Sequence, residues 1–166
     1  MRGMTRKIVY AAMFAALACV ATMIKVPTPP NGYVNLGDCV VLATGFMLSP
    51  VYGFLAAGVG SLLADVFAGY VIYAPATFVI KGLMALIVCF GVRLFPKKKR
   101  GVLARIVCAV FAEIVMIAGY FLFEGFLYGF EASLVNIPAN AIQGAVGILL
   151  GVLLTAALER SKIKFQ

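Results

Sequence analysis

Apolar residues fill most of the chain in long runs that are separated by short polar stretches. Runs of about 20 apolar residues have the length at which a helix crosses a bilayer core of ~30 Å. The second run is the exception, because about 11 residues at ~1.5 Å each fall short of that thickness. Ser49 and Pro50 separate it from the third run and favour a tight helical hairpin. We predict six helices, over residues 8–24, 38–48, 51–67, 74–94, 102–123 and 134–158.

A lysine, Lys81, lies inside the fourth apolar run. A charge at that depth typically costs ~2.5–3.5 kcal/mol on insertion scales unless a partner or water satisfies it. Asp65 ends the neighbouring third run, so we predict a Lys81–Asp65 ion pair. A contact between the Lys81 ammonium and a ligand is the open alternative, and the two roles are compatible.

Further polar side chains follow helical spacing towards one end of the predicted bundle. Glu113, Tyr120 and Glu124 are spaced i, i+7, i+11 on the fifth helix, and a similar stripe lies on the sixth. Polar groups inside a bilayer normally face the bundle interior or a wet cavity. The stripes therefore predict a pocket, although amides on the sixth helix could instead hydrogen-bond between helices. The second stripe consists of Asn136, Asn140 and Gln143.

The composition agrees with a membrane location, because 64% of residues are hydrophobic, 12% are charged and the mean hydropathy is +1.07. We predict an all-α integral membrane protein that forms a single domain over residues 1–166. The net charge of +8 would suggest nucleic acid in a soluble protein. Here the basic residues cluster at the ends of apolar runs, where they indicate orientation and no nucleic-acid partner.

Six spans place both termini on the same side of the membrane. Lys25 is the one basic residue in the loops of the opposite side. The positive-inside rule therefore predicts that both termini are cytoplasmic and that the pocket opens outward. The basic residues on the terminal side are Arg2, Arg6, Lys7, Arg93, Lys97, Lys98, Lys99, Arg100, Arg105, Arg160, Lys162 and Lys164.

The sequence offers little for catalysis. It contains no histidine, no phosphate-binding loop and no C-x-x-C pair among its four cysteines. We therefore predict no enzyme activity, no metal site and no cofactor. A small ion or proton channel lined by Lys81, Asp65 and Glu113 is an alternative function. The apolar inner halves of the fourth and sixth helices disfavour it, because a channel needs polar groups along the whole span.

Small residues on the first helix form two A-x-x-x-A pairs, Ala11 with Ala15 and Ala12 with Ala16. Small-x-x-x-small faces let helix backbones approach closely. Similar patterns on the third and sixth helices indicate packing within the protein. The first-helix face lies towards the cytoplasmic side, where a partner could dock.

Three stretches together resemble a known family, the six-helix substrate-binding subunits (S components) of bacterial energy-coupling-factor (ECF) vitamin transporters. They are "AAMFAALA", "GYVNLGDCVVLATGFMLSPVYGFLAAGVGSLLADVFAGY" and "YAPATFVIKGLMALI". The last two resemble the riboflavin-type branch, which also includes proteins for vitamin B6 and for hydroxymethylpyrimidine. The resemblance covers nearly the whole chain.

The resemblance implies a high-affinity vitamin-binding subunit in the bacterial cytoplasmic membrane. It also implies that Ala11, Ala12, Ala15 and Ala16 contact a separate transmembrane coupling subunit, which would join two ATPase subunits. It implies a vitamin site near the external face, and the substrate-binding residues that we predict are Asn35, Tyr73, Lys81, Tyr120, Glu124, Asn136, Asn140 and Gln143.

The predicted side chains suit a flat heteroaromatic ring that carries donor groups. Glu113 and Glu124 would accept hydrogen bonds, and Tyr73 or Tyr120 would stack on the ring. Pyridoxine and hydroxymethylpyrimidine fit this description best. Riboflavin is the alternative and would need a longer pocket, while an anionic vitamin such as pantothenate would prefer more than one cation.

Overall fold

The structure is a computed structural model, and it describes residues 2–28, 32–96, 98 and 100–161. Two antiparallel strands, β1 (Lys25–Thr28) and β2 (Gly32–Asn35), form a small hairpin between the first two helices. The sequence predicts only a loop in this stretch, but Val26 and Val34 pair across the hairpin. The helices are α1 (Arg2–Met23), α2 (Gly37–Met47), α3 (Pro50–Phe67), α4 (Ala74–Leu94), α5 (Val102–Tyr128), α6 (Phe130–Leu134) and α7 (Ile137–Arg160).

Five stretches of helix are long and apolar enough to cross a membrane, namely Gly3–Met23, Pro50–Phe67, Ala74–Leu94, Val102–Tyr128 and Phe130–Arg160. The last of these includes a turn at Val135 and Asn136 that divides the predicted sixth helix into α6 and α7. The predicted helical multi-pass membrane protein is therefore confirmed. The count of six spans stays a prediction, because α2 has 11 residues and extends only ~16 Å.

α2 lies at the centre of the bundle, and nine of its 11 residues are buried. It packs against α7, α4, α1 and α3. The contact with α4 is close at Gly45, where an added Cβ would lie 2.5 Å from the carbonyl oxygen of Ala85. Only glycine allows the two backbones to approach this closely, so the sequence "ATGFM" sets how α2 and α4 cross.

The shortness of α2 creates space at one end of the bundle. α2 is seven residues shorter than α3, since they have 11 and 18 residues, so its first residue lies ~10 Å short of the far end of α3. Asp38, in the first turn of α2, is consequently 0% exposed. The chain reaches this deep start through the β-hairpin. A cavity can therefore form above α2, between the ends of the longer helices.

The two alanine pairs of α1 lie in different environments. Ala11 and Ala15 are half-buried against the core of the protein itself. An added Cβ at Gly60 on α3 would lie 2.3 Å from the Ala15 carbonyl oxygen, so α1 and α3 are in close contact there. Ala12 and Ala16 are exposed. The structure thus distinguishes the two pairs, which the sequence leaves equivalent.

Candidate functional site

A cavity of about 230 Å³ lies among the ends of α1, α3 and α5 and the beginnings of α4 and α7. The N-terminus and the 95–101 connection lie at the other end of the bundle, because successive long helices run in opposite directions. All eight residues predicted to bind substrate line this cavity: Asn35, Tyr73, Lys81, Tyr120, Glu124, Asn136, Asn140 and Gln143. The remaining lining residues are Thr22, Asp65, Tyr70, Thr77 and Ala139.

A network of hydrogen bonds forms the floor of the cavity. The Lys81 ammonium donates to one carboxylate oxygen of Asp38, and Gln143 Nε2 donates to the other at 2.7 Å. Gln143 Oε1 in turn accepts from the backbone N–H and the side-chain amide of Asn35, at 3.2 and 2.9 Å. The network connects the end of the β-hairpin with α2, α4 and α7. It holds Asn35, at the end of the β-hairpin, in place at the edge of the cavity.

The predicted Lys81–Asp65 pair is therefore wrong, because Lys81 pairs with Asp38. Asp65 is nearer in sequence and lies on the adjacent α3, which made it the expected partner. The short α2 instead places Asp38 at the depth of Lys81, although 43 residues separate them. Lys81 is 2% exposed and Asp38 is 0% exposed, so the charges compensate each other in the interior.

Above this floor, the walls of the cavity combine a carboxylate with amides and aromatic rings. Glu124 accepts a hydrogen bond of 2.9 Å from the amide of Asn136. Thr77 Oγ1 and the Tyr120 hydroxyl are 3.0 Å apart. The Tyr73 ring packs edge-on against Phe123, with centroids 5.4 Å apart. Flat, donor-rich and acceptor-rich ligands suit such a wall, because rings stack on tyrosines while amides and carboxylates orient them.

Two polar atoms of the cavity-lining residues are buried without a hydrogen-bond partner in the described part of the chain. They are Oδ2 of Asp65 and Oγ1 of Thr22. A buried acceptor without a partner is costly, so it favours a ligand that donates to it. Asp65 therefore lines the cavity, but it does not form the predicted ion pair with Lys81.

Glu113 lies outside the cavity. Its side chain packs beneath it, next to Gly144 and Gly147 of α7, and is 3% exposed. The residue is 11 positions from Glu124, or ~16 Å along α5, which is too deep for a cavity that ends above α2. The sequence pattern identified the stripe correctly but not how far the cavity extends along it.

Sequence reasoning missed Thr22, Asp38, Tyr70 and Thr77. Thr77 could have been found, because it lies one helical turn before Lys81 and therefore on the same face. Thr22 and Tyr70 carry no such signal. Asp38 was recognised only as a helix-end residue, since its depth depends on how α2 is positioned in the bundle.

Comparison with known proteins agrees with this architecture. The family model of the ECF-type riboflavin transporter S component matches residues 2–160. The chain belongs to this family. As an S component, it is a substrate-binding subunit of a vitamin transporter, and the family is not one of enzymes.

Two individual proteins are also similar to this chain. The solved structure of the S component of a bacterial ECF transporter superimposes with a TM-score of 0.69, at 26% identity over 95% of this chain and 97% of that one. An uncharacterized protein of Pyrococcus woesei is 32% identical over 137 residues, which are 82% of this chain and 89% of that protein.

Proposed function

We propose that this S component binds a one-ring heteroaromatic vitamin or precursor, of the pyridoxine or hydroxymethylpyrimidine type, in the cavity above α2. The main observation in support of this proposal is the volume of the cavity. At about 230 Å³, it falls below the ~300–1,000 Å³ typical of pockets for drug-sized ligands. One substituted ring fits such a volume better than a three-ring flavin with a sugar-alcohol tail.

The charges around the cavity support the same class of ligand. The Lys81 ammonium is already paired with Asp38, whereas Asp65 and Glu124 present carboxylates to the cavity. An anionic or phosphorylated ligand would meet these carboxylates without a free cation among the lining residues described above. A neutral or protonated ring with hydroxyl or amino donors would instead satisfy them.

Riboflavin is the second candidate, and the description of the matching family favours it. Riboflavin also has a flat heteroaromatic ring and many hydroxyl donors, so the chemistry of the wall suits it. The two candidates differ in length rather than in the kind of contacts they make. Binding measurements can therefore separate them.

Mass spectrometry of the small molecule that co-purifies with the protein, followed by calorimetric titration, tests the proposal. We expect saturable binding of pyridoxine or hydroxymethylpyrimidine and much weaker binding of riboflavin. Flavin fluorescence quenching provides an independent measure for riboflavin. Tight riboflavin binding together with no binding of the one-ring compounds would overturn the choice of ligand while leaving the S-component role intact.

For transport, we infer that the subunit works with a transmembrane coupling subunit and two ATPases in the bacterial cytoplasmic membrane, with both termini inside. Ala12 and Ala16 are the alanines that support contact with the coupling subunit, because they are exposed on α1. The cavity would then open to the outside. Vitamin binding without ion flux in liposomes would distinguish this role from the channel alternative.

A further inference from the structure

A second cavity lies between α4 and α5, near the end of the bundle opposite the vitamin cavity. It is an apolar groove of about 580 Å³. We refer to it as the α4–α5 groove. Its lining residues include Phe90, Gly91 and Phe95 from the end of α4 and Val107, Cys108 and Phe111 from the beginning of α5.

The dimensions of the groove match one leaflet of a bilayer. The α4 residues that line it run from Ile87 to Phe95 and the α5 residues from Val107 to Val115, or ~12 Å along each helix. One leaflet of a ~30 Å hydrocarbon core is ~15 Å deep. The two helices are in close contact within the groove, because an added Cβ at Gly91 would lie 2.8 Å from Cys108 Sγ. Large exposed aromatic side chains, Phe90 and Phe111, form the walls.

Basic side chains contact the end of α4, which forms one side of this groove. Arg100 donates to the carbonyl oxygens of Phe95 and Arg93, at 2.9 and 3.0 Å, which places its guanidinium against the end of α4. The Arg93 guanidinium lies 5.8 Å from the ring centroid of Phe90. Two cations are thus in direct contact with groove-lining residues, and the exposed Lys98 lies in the same connection.

Acidic side chains do not compensate these cations. The chain has six acidic residues, and all six are in the described part of the chain. Glu159 is the one on this side of the bundle, and it accepts two hydrogen bonds from Arg105, at 2.6 and 2.8 Å. Arg93 and Arg100, with Lys98 in the same connection, therefore provide uncompensated positive charge at the end of an apolar groove.

We propose that the α4–α5 groove is a binding site for an anionic phospholipid, with an acyl chain in the groove and the phosphate against Arg93, Lys98 and Arg100. An apolar slot with basic residues at its end matches both parts of such a molecule, and basic pockets between membrane helices bind anionic headgroups. A zwitterionic lipid would fill the slot but gain less from these basic residues. The site is separate from the vitamin cavity and does not depend on which vitamin is bound.

The test uses the purified full-length chain in detergent, with phosphatidylglycerol or phosphatidylcholine added at equal concentration. Native mass spectrometry counts the lipids retained, and thermal unfolding measures stabilisation. We expect preferential retention of phosphatidylglycerol. The Arg93→Gln/Lys98→Gln variant should lose this preference by roughly tenfold, whereas Arg6→Gln/Lys7→Gln, which removes the same charge from α1, should keep it.

Two valines on α5 provide a matched pair of substitutions that test whether the lipid lies in the groove. Val107 lines it and is 36% exposed, while Val110 is 40% exposed and is not among the lining residues. Val107→Phe should fill the slot and reduce phosphatidylglycerol retention, and Val110→Phe should not. Equal retention of the two lipids by the unmodified protein would overturn the proposal. Equal loss in Val107→Phe and Val110→Phe, or cross-linking of position 107 to protein rather than lipid in a bilayer, would also overturn it.

Discussion

At the scale of single residues, the charged side chains in and next to the cavity include one compensated ion pair and two lining carboxylates. Lys81 and Asp38 form the pair, with Gln143 holding the second oxygen of Asp38. Asp65 and Glu124 line the cavity. We therefore expect the pair to act mainly in stability and the lining carboxylates to contact the proposed ligand.

Replacing Lys81 with methionine should destabilise the protein in detergent. The change keeps most of the apolar stem but leaves the Asp38 carboxylate buried without its cation, which typically costs about 3–5 kcal/mol. We expect Asp38→Asn in the same chain to recover much of the loss in a thermal unfolding assay, because the uncompensated charge is then gone. Asp65→Asn is the control. Recovery by Asp65→Asn instead of Asp38→Asn would contradict the observed pairing.

Glu124→Gln should weaken vitamin binding by roughly tenfold, since losing a hydrogen bond to a charged group typically costs about 1.5–3 kcal/mol. Glu113→Gln makes the same chemical change on the same helix, but Glu113 does not line the cavity. It should leave affinity almost unchanged. Titration calorimetry with the co-purified vitamin measures both variants. Similar losses of affinity in the two variants would mean that the binding site extends deeper than the cavity.

At the scale of secondary structure, α2 decides where the site forms. Its 11 residues leave the space that the ends of the longer helices enclose. α1 is the other informative element, because one of its alanine pairs packs internally and the other is exposed. Its two faces should therefore respond differently to the same substitution.

Ala12→Leu/Ala16→Leu should reduce vitamin uptake by cells while leaving vitamin affinity of the purified subunit unchanged. Leucine side chains on the exposed face would prevent close approach of a partner helix. Ala18→Leu is the contrasting variant, because Ala18 is 0% exposed and overpacking there typically costs about 1–3 kcal/mol of stability. If affinity and uptake fall together in the double variant, this face packs within the protein and does not contact a coupling subunit.

At the scale of the whole molecule, most basic residues lie at the end of the bundle opposite the vitamin cavity. Of the ten basic residues in the described part of the chain, eight lie at the end of the bundle where α1 begins, and Lys25 and Lys81 are the others. The vitamin cavity lies at the other end of the bundle, and the α4–α5 groove lies towards the basic one. This asymmetry is what an outward-facing site with an inward-facing basic surface requires.

Reporter fusions test that orientation. A fluorescent protein fused after Gln166 should fold and fluoresce, and alkaline phosphatase fused at the same position should be inactive, because both report a cytoplasmic C-terminus. Phosphatase fused after Tyr70, in the connection between α3 and α4, should be active if that connection is external. Active phosphatase at the C-terminus would reverse the predicted topology and place the cavity on the inside.

The sequence by itself determined that the chain belongs in a membrane, where most of its long helices lie, and which residues would line a cavity. Hydropathy is a local property, so the predicted ranges 51–67 and 74–94 agree with α3 (Pro50–Phe67) and α4 (Ala74–Leu94) to within one residue. Helical periodicity is also local. It placed Asn136, Asn140 and Gln143 on one face of a helix, and all three line the cavity.

Only the tertiary structure decided which groups meet across the bundle. It paired Lys81 with Asp38 instead of Asp65, left Glu113 beneath the cavity and separated the two alanine pairs of α1. Each outcome depends on the depth and rotation of one helix relative to another. Those quantities come from contacts between residues far apart in sequence, such as Gly45 with Ala85 and Gly60 with Ala15. Periodicity along one helix specifies a face but not the partner that the face meets.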